Sequence, residues 1–180
     1  CMNQGGLVAS TRFLRRFISF DPATGMLQCE AGVQLADILN LVEPQGWFLP
    51  VTPGTKFVTV GGAIGNDVHG KNHHLEGSFG NHVTRFELLR TDGTRRVCSA
   101  TENPDWFFAT IGGLGLTGLI TWAELQLKKV PNSAINLETI KYQNLAAFFA
   151  LSEESESTHE YTAAWIDCLA AREKIGRGHF

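Results

Sequence analysis

The sequence predicts an α+β fold, with a mixed or antiparallel sheet and flanking helices, followed by the opening of a second α+β unit. Three observations carry this. Apolar runs face each other across turn-forming residues twice, at Asp21-Pro22-Ala23-Thr24-Gly25 and at Thr91-Asp92-Gly93-Thr94, as antiparallel hairpins require. Residues 119–128 alternate, with Leu119, Thr121, Ala123, Leu125 and Leu127 on one side and Trp122, Glu124, Gln126 and Lys128 on the other, the pattern of a strand buried on one face. Between the hairpins, Leu35, Ile38, Leu39 and Val42 recur at helical spacing.

In order, residues 14–20 and 26–31 make the first hairpin, and 33–42 an amphipathic helix ended by Pro44 and Gly46. Residues 47–51 make a short strand. Residues 52–83 have no clean periodicity and hold eight glycines or prolines, so they read as a long structured loop of the kind that usually carries function. Residues 86–90 and 95–99 form the second hairpin. Residues 104–111 are a short helix with Asn103 as N-cap, Pro104 at its first position and Gly112-Gly113 as its stop. Pro131-Asn132-Ser133 is the best boundary, dividing 1–130 from 131–180. Beyond it, a strand (135–141), a helix (144–151), an acidic Ser/Glu loop (152–159) and a strand (161–168) are expected. No element then closes the unit, so it reads as the cut-short opening of a second domain.

Composition narrows the function classes. Hydrophobic residues make up 43% of the 180, enough for a packed core, and the net charge of −3 leaves no basic field for nucleic acid. No apolar run approaches the ~20 residues of a membrane span, and no signal peptide is visible. The four cysteines (Cys1, Cys29, Cys98, Cys168) have no C-x-x-C spacing and read as reduced structural thiols.

Three segments carry chemistry. Gly54, Gly61, Gly62, Gly65 and Gly70 fall within 17 residues, interleaved with Thr55, Thr59 and Asn66. Bare backbone aims N–H groups at a bulky ligand without a Cβ in the way, which suits a pyrophosphate or a flavin ring edge; tight turns are the bland alternative. His69, Lys71 and His73 are two apart and share a face if the segment is extended, where an imidazole and an ammonium bind an anionic substrate and take a proton from its hydroxyl. A metal site is the competing reading, but no carboxylate stands at a familiar spacing, and no metal is expected. His82, His159 and His179 are expected to be structural or at the surface. Gly113, Gly115 and Gly118 match G-x-G-x-x-G, but here a helix precedes and a strand follows, the reverse of a Rossmann fingerprint. That leaves a helix-to-strand turn or a backbone approach to a cofactor.

Pro53-Gly54-Thr55, Thr59-Val60-Gly61-Gly62-Ala63-Ile64, the string from His69 to His74, the Gly77-to-Val83 run and Gly115-Leu116-Thr117-Gly118 together resemble the FAD-binding oxidoreductases of the vanillyl-alcohol-oxidase type, the PCMH fold. Within them the resemblance is to the decaprenylphosphoryl-ribose oxidase branch, and it covers nearly the whole chain. It implies that 1–130 is the second half of a two-part FAD domain, whose pyrophosphate-gripping first half would lie upstream of Cys1, and that 131–180 begins a substrate domain. It also implies FAD contacts at Gly54, Thr55, Thr59, Val60, Gly61, Gly62, Asn66, Asp67, Val68, His69 and Ile120, although Asn66 replaces a small residue. His69, Gly70, Lys71 and Trp165 would line the substrate side, with His69 and Lys71 catalytic. The implied reaction oxidises a secondary sugar alcohol, on a polyprenyl-phosphate sugar or a smaller one, with hydride passing to flavin N5. A short-chain reductase would complete epimerisation, in a cytoplasmic or membrane-associated setting. The alternatives are a sugar-lactone or polyol oxidase of the same fold and an inactive fragment without stable flavin.

Overall fold

A computed structural model describes residues 5–6 and 9–180 of the chain; Cys1 and Met2 lie outside the described residues. The first hairpin forms as expected, from β1 (Phe17–Asp21) and β2 (Met26–Glu30). The Asp21 carboxylate accepts from Ala23 N and Thr24 Oγ1, and Gly25 takes φ +74 where a Cβ would strike the Trp47 ring. The second hairpin joins β4 (Val83–Leu89) to β5 (Arg95–Ser99). A long central strand, β6 (Leu119–Gln126), pairs with both hairpins, closing a five-stranded antiparallel sheet in the order β1-β2-β6-β4-β5.

One face of this sheet is the core. Leu27, Cys29, Phe86, Leu88, Ala123 and Leu125 point into it and are fully or almost fully buried. Helix α1 (Leu35–Val42) adds Leu35, Ile38 and Val42, and helix α4 (Pro104–Thr110) adds Phe107, stacked on Phe86 at 5.3 Å between ring centroids. Burying each such large apolar side chain contributes roughly 1.5–3 kcal/mol. Among the described cysteines, burial and then the neighbouring Glu30 charge push the Cys29 thiol up to about 12, and burial raises Cys98 as well, whereas Cys168 is exposed. Since the thiolate is the reactive form, alkylation with iodoacetamide at pH 8 should label Cys168 in the folded protein and spare Cys29 and Cys98. Mass spectrometry of peptides checks this; labelling of Cys29 in the native state would show that the core is open.

Several expected elements change. Residues 47–51 contribute only the two-residue strand β3 (Trp47–Phe48), which pairs with β7 (Lys128–Lys129). The segment 52–83, expected as a long structured loop, contains helices α2 (Val60–Gly65) and α3 (His73–Glu76) and a 3-10 turn (Phe79–His82). Asn103 precedes α4 with φ +50 and makes no side-chain cap; its amide donates to Val97 O instead, at 2.8 Å. In place of a strand over 135–141 there is only β8 (Lys141–Tyr142), and in place of one over 161–168 only β9 (Trp165–Ile166). Helix α5 (Leu145–Ser155), capped by the Asn144 side chain, runs into the expected acidic loop. The C-terminal residues do supply a strand: β10 (Gly178–His179) pairs with both β8 and β9 and closes a small three-stranded sheet.

Candidate functional site

Helix α2 is the pivot of the site, and its residue types alone would not make it a helix. Three of its six residues are glycine, each costing about 1 kcal/mol against alanine in a helix interior. Long-range bonds hold it instead. Val60 N donates to Val33 O, Gly61 N to Ala31 O, and the Thr59 hydroxyl accepts from Gly62 N at 3.2 Å. Val60, Ala63 and Ile64, at helical spacing, are wholly buried against the sheet. The opposite face shows Gly62 and Asn66 to solvent.

That exposed face forms one wall of a cleft of about 410 Å³. The other wall is the turn between α4 and β6. Gly112 N donates to Ile64 O and Leu114 N to Gly65 O, so the turn is stitched to the end of α2. Gly112, Leu114, Gly115 and Gly118 all take positive φ. Within the turn, the Thr110 and Thr117 hydroxyls pair at 2.9 Å, and Arg90 donates to Thr117 O while stacking on Trp106. The G-x-G-x-x-G match thus runs from helix to strand, as its sequence context indicates.

The structure divides the glycines by what a side chain would meet. A Cβ on Gly61 would press on Ala31, and one on Gly70 would collide with Asn72 Oδ1 at 2.7 Å and Thr52 O at 3.0 Å, so internal packing accounts for both. A Cβ on Gly54 or Gly115 would meet nothing, one on Gly65 only Gly115 N at 3.8 Å, and one on Gly62 only its own cap hydroxyl at 3.1 Å. Packing does not explain these four. The expected donor role is corrected, however: the N–H groups of Gly61 and Gly62 are used inside the protein, on Ala31 O and Thr59 Oγ1. At Gly61 and Gly62 the cleft therefore receives backbone surface rather than N–H donors.

Of the residues singled out in the sequence, Thr59, Gly61, Gly62, Gly65, Asn66, Gly115, Gly118 and Ile120 line this cleft. Val60 lies beneath it in the core. Gly54 and Thr55 line a separate hollow with Leu35, Leu39, Phe48 and Phe57. Asp67, at φ +43, is engaged with the chain itself, accepting from Ser78 Oγ at 2.8 Å and Gly80 N at 2.9 Å, and Val68 O accepts from Phe79 N. Sequence reasoning missed Thr11, Ala31, Thr110, Leu114 and Leu119 as cleft residues. The first three carry no local signal, since folding brings them there from elsewhere in the chain; the last two belong to the glycine-rich turn or adjoin it.

The histidine segment departs from expectation. His69 forms a single bridge with Ser78, but the chain then turns at 71–72 and enters α3. The extended run that would put His69 and Lys71 on one face is therefore absent. His69 and His73 do come together, edge to face, with ring centroids 5.6 Å apart. His73 Nδ1 lies 3.2 Å from Gly70 O, His74 Nε2 3.3 Å from His159 O, and His82 Nε2 2.9 Å from Glu76 O. Lys71 is exposed, and its carbonyl accepts from Thr162 N. Trp165 is 84% exposed on β9. None of His69, Lys71 and Trp165 lines the cleft. Among the described residues, no group of three or more His, Cys, Asp or Glu is placed to hold a metal ion.

Comparison with known proteins places this arrangement. The model of the FAD binding domain family matches residues 1–99. The chain belongs to that family. Its similarity to decaprenylphosphoryl-beta-D-ribose oxidase of Mycolicibacterium smegmatis is 41% identity over 177 residues, 97% of this chain and 38% of that protein. It is 27% identical over 146 residues to D-lactate dehydrogenase of Anaerostipes hadrus, covering 78% of this chain and 30% of that one. A putative D-arabinono-1,4-lactone oxidase of Neurospora crassa is 30% identical over 116 residues, 64% of this chain and 20% of the relative. The chain thus spans well under half the length of these relatives. The family membership and the α+β fold with antiparallel sheets, both expected from the sequence, are borne out.

Proposed function

We propose that the chain is the flavin-bearing part of an FAD-dependent oxidoreductase that oxidises a secondary alcohol of a polyprenyl-phosphate sugar. The observation that carries this is the cleft between α2 and the 112–118 turn, lined by bare backbone at Gly62, Gly65 and Gly115, where no side chain packs except the Thr59 cap hydroxyl at Gly62. Its lining fits a flavin ring system. It is uncharged throughout, with Ala31, Leu114, Leu119 and Ile120 as apolar surface and Thr59, Thr110 and Asn66 as neutral polar groups. The lining holds no cation to pair with a pyrophosphate, whereas its apolar surface and neutral polar groups suit the edge of a ring system. Thr59, Val60, Gly61, Gly62, Asn66 and Ile120 are the proposed core of the cofactor site, with Gly54, Thr55, Asp67, Val68 and His69 at its ends. Residues 1–130 form the FAD-binding unit and 131–180 a substrate-side unit.

FAD, when bound, supplies the acceptor for the carbinol hydride. The chain's own part is to position and deprotonate. His69 takes the hydroxyl proton on an imidazole nitrogen, Lys71 offers its exposed ammonium to the substrate phosphate, and Gly70 and Trp165 complete the substrate side. A short-chain reductase is the proposed partner for epimerisation. Among the described residues no helix is long and apolar enough to cross a membrane, and a cytoplasmic or membrane-associated setting is proposed. The test is anaerobic flavin reduction of the loaded protein with a prenyl-phosphoryl pentose set against an aldonolactone. The reading requires faster bleaching of flavin absorbance by the pentose; reduction by the lactone alone would replace it with a lactone oxidase.

A further inference from the structure

A cluster of charged groups lies where the histidine segment meets the C-terminal residues. The Lys128 ammonium stands 2.9 Å from Glu76 Oε1 and 2.6 Å from Glu160 Oε1. Glu76 ends α3, which begins with His73 and His74. Glu160 precedes the residues that lead to β9 and Trp165. Two further bonds cross the same junction, Thr162 N to Lys71 O and His74 Nε2 to His159 O. The buried Asn72 amide also approaches Glu160, at 3.5 Å. Lys128 itself is anchored from a third element, since β7 pairs with β3.

We propose that Lys128 is a positioning residue: one cation, fixed on β7, clamps the histidine segment to the segment that leads into Trp165, and so sets both walls of the substrate side. This rests on the reading of His69, Lys71 and Trp165 given above. The electrostatics agree with the geometry. Burial opposes the Lys128 charge, yet the hydrogen bonds to Glu160 and Glu76 leave its pKa above the ordinary lysine value. Burial likewise opposes the Glu160 charge, and the hydrogen bond to Lys128 still holds it below the usual carboxylate range. Tyr161 is pushed up to about 12 by burial and by Glu160, so it stays neutral beside the pair. Among the described residues, the other titratable groups at the junction are His82, against Glu76, and His74 and His159, which meet across it. Without the cation, two carboxylates face one another and the junction loses its centre.

The experiment compares Lys128→Met and Lys128→Arg with wild type in the flavin-loaded protein, by amide hydrogen exchange and by steady-state kinetics. Lys128→Met should speed exchange about tenfold in 71–77 and 159–167 while leaving β4 and β6 unchanged, as expected for a local opening after loss of one partly desolvated ion. It should raise KM for the prenyl-phosphoryl pentose more than it lowers kcat. Because the folded Glu160 pKa is depressed, the clamp acts above the usual carboxylate pKa and is lost as pH falls through the lowered value. The exchange difference between variant and wild type should therefore shrink as pH falls below the usual carboxylate range, while Lys128→Arg keeps the wild-type pattern at all pH values. Equal acceleration in β4 and β6, unchanged exchange at the junction, or an arginine variant that behaves like methionine would each overturn the proposal. Exchange needs no substrate, so it decides on the clamp even if the sugar reading fails on the kinetic arm.

Discussion

Replacing Gly62 by leucine is expected to weaken FAD binding by about tenfold to a hundredfold, the range set by the 1–3 kcal/mol cost of overpacking a fitted site. The same change should leave the fold intact. Gly62 sits on the solvent side of α2, and the face that packs on the sheet is made by Val60, Ala63 and Ile64. Leucine is the better helix former by several tenths of a kcal/mol, and its Cβ meets only Thr59 Oγ1, at 3.1 Å. Flavin fluorescence titration together with the melting temperature of the apo-protein separates the two effects. Gly61→Ala is the control, because its Cβ presses on Ala31 at 3.1 Å and should lower the melting temperature first. If Gly62→Leu binds FAD as wild type does, the flavin does not lie against α2.

His69→Ala is expected to slow flavin reduction by substrate about 10²- to 10⁴-fold, the usual contribution of a positioned general base. FAD affinity should fall less than the rate, since His69 stands at the end of the proposed cofactor site and outside the cleft lining. His73→Ala should have a smaller effect, because its Nδ1 lies against Gly70 O and its ring serves to fix His69 from the side. Single-turnover stopped-flow absorbance, with substrate mixed into the oxidised protein, reads the step directly. An unchanged rate in His69→Ala would remove this imidazole from the path of the proton.

The antiparallel sheet was legible because its signals are local. Asp21 to Gly25 and Asp92-Gly93 are turn chemistry that acts over a few residues, and the alternation through β6 is a property of one strand on one core. Helix α2 was illegible for the opposite reason. Its glycines argue against a helix, and what holds it is a set of bonds to Ala31 and Val33, about thirty residues earlier in the chain. The two-residue strands β8, β9 and β10 exist only as partners of one another, so no run of residues announces them. At the site, glycine density pointed correctly to open backbone but not to its chemistry. Whether an N–H faces a ligand or the protein is decided by tertiary contacts, and here Ala31 O and Thr59 Oγ1 take two of them. The alternating-face argument for His69 and Lys71 failed because the extended run stops at the turn before α3. Ile120 was reached through family resemblance; its burial at the cleft floor follows from the pairing of β6 with β4.

The claim on which the functional reading turns is that FAD occupies the cleft between α2 and the 112–118 turn. Amide hydrogen exchange measured with and without FAD addresses it most directly. Residues 59–66 and 112–120 should gain protection together on adding the cofactor, with β5 and α5 unaffected. Binding of FAD with protection confined to 52–57, or with no change in either cleft wall, would contradict it.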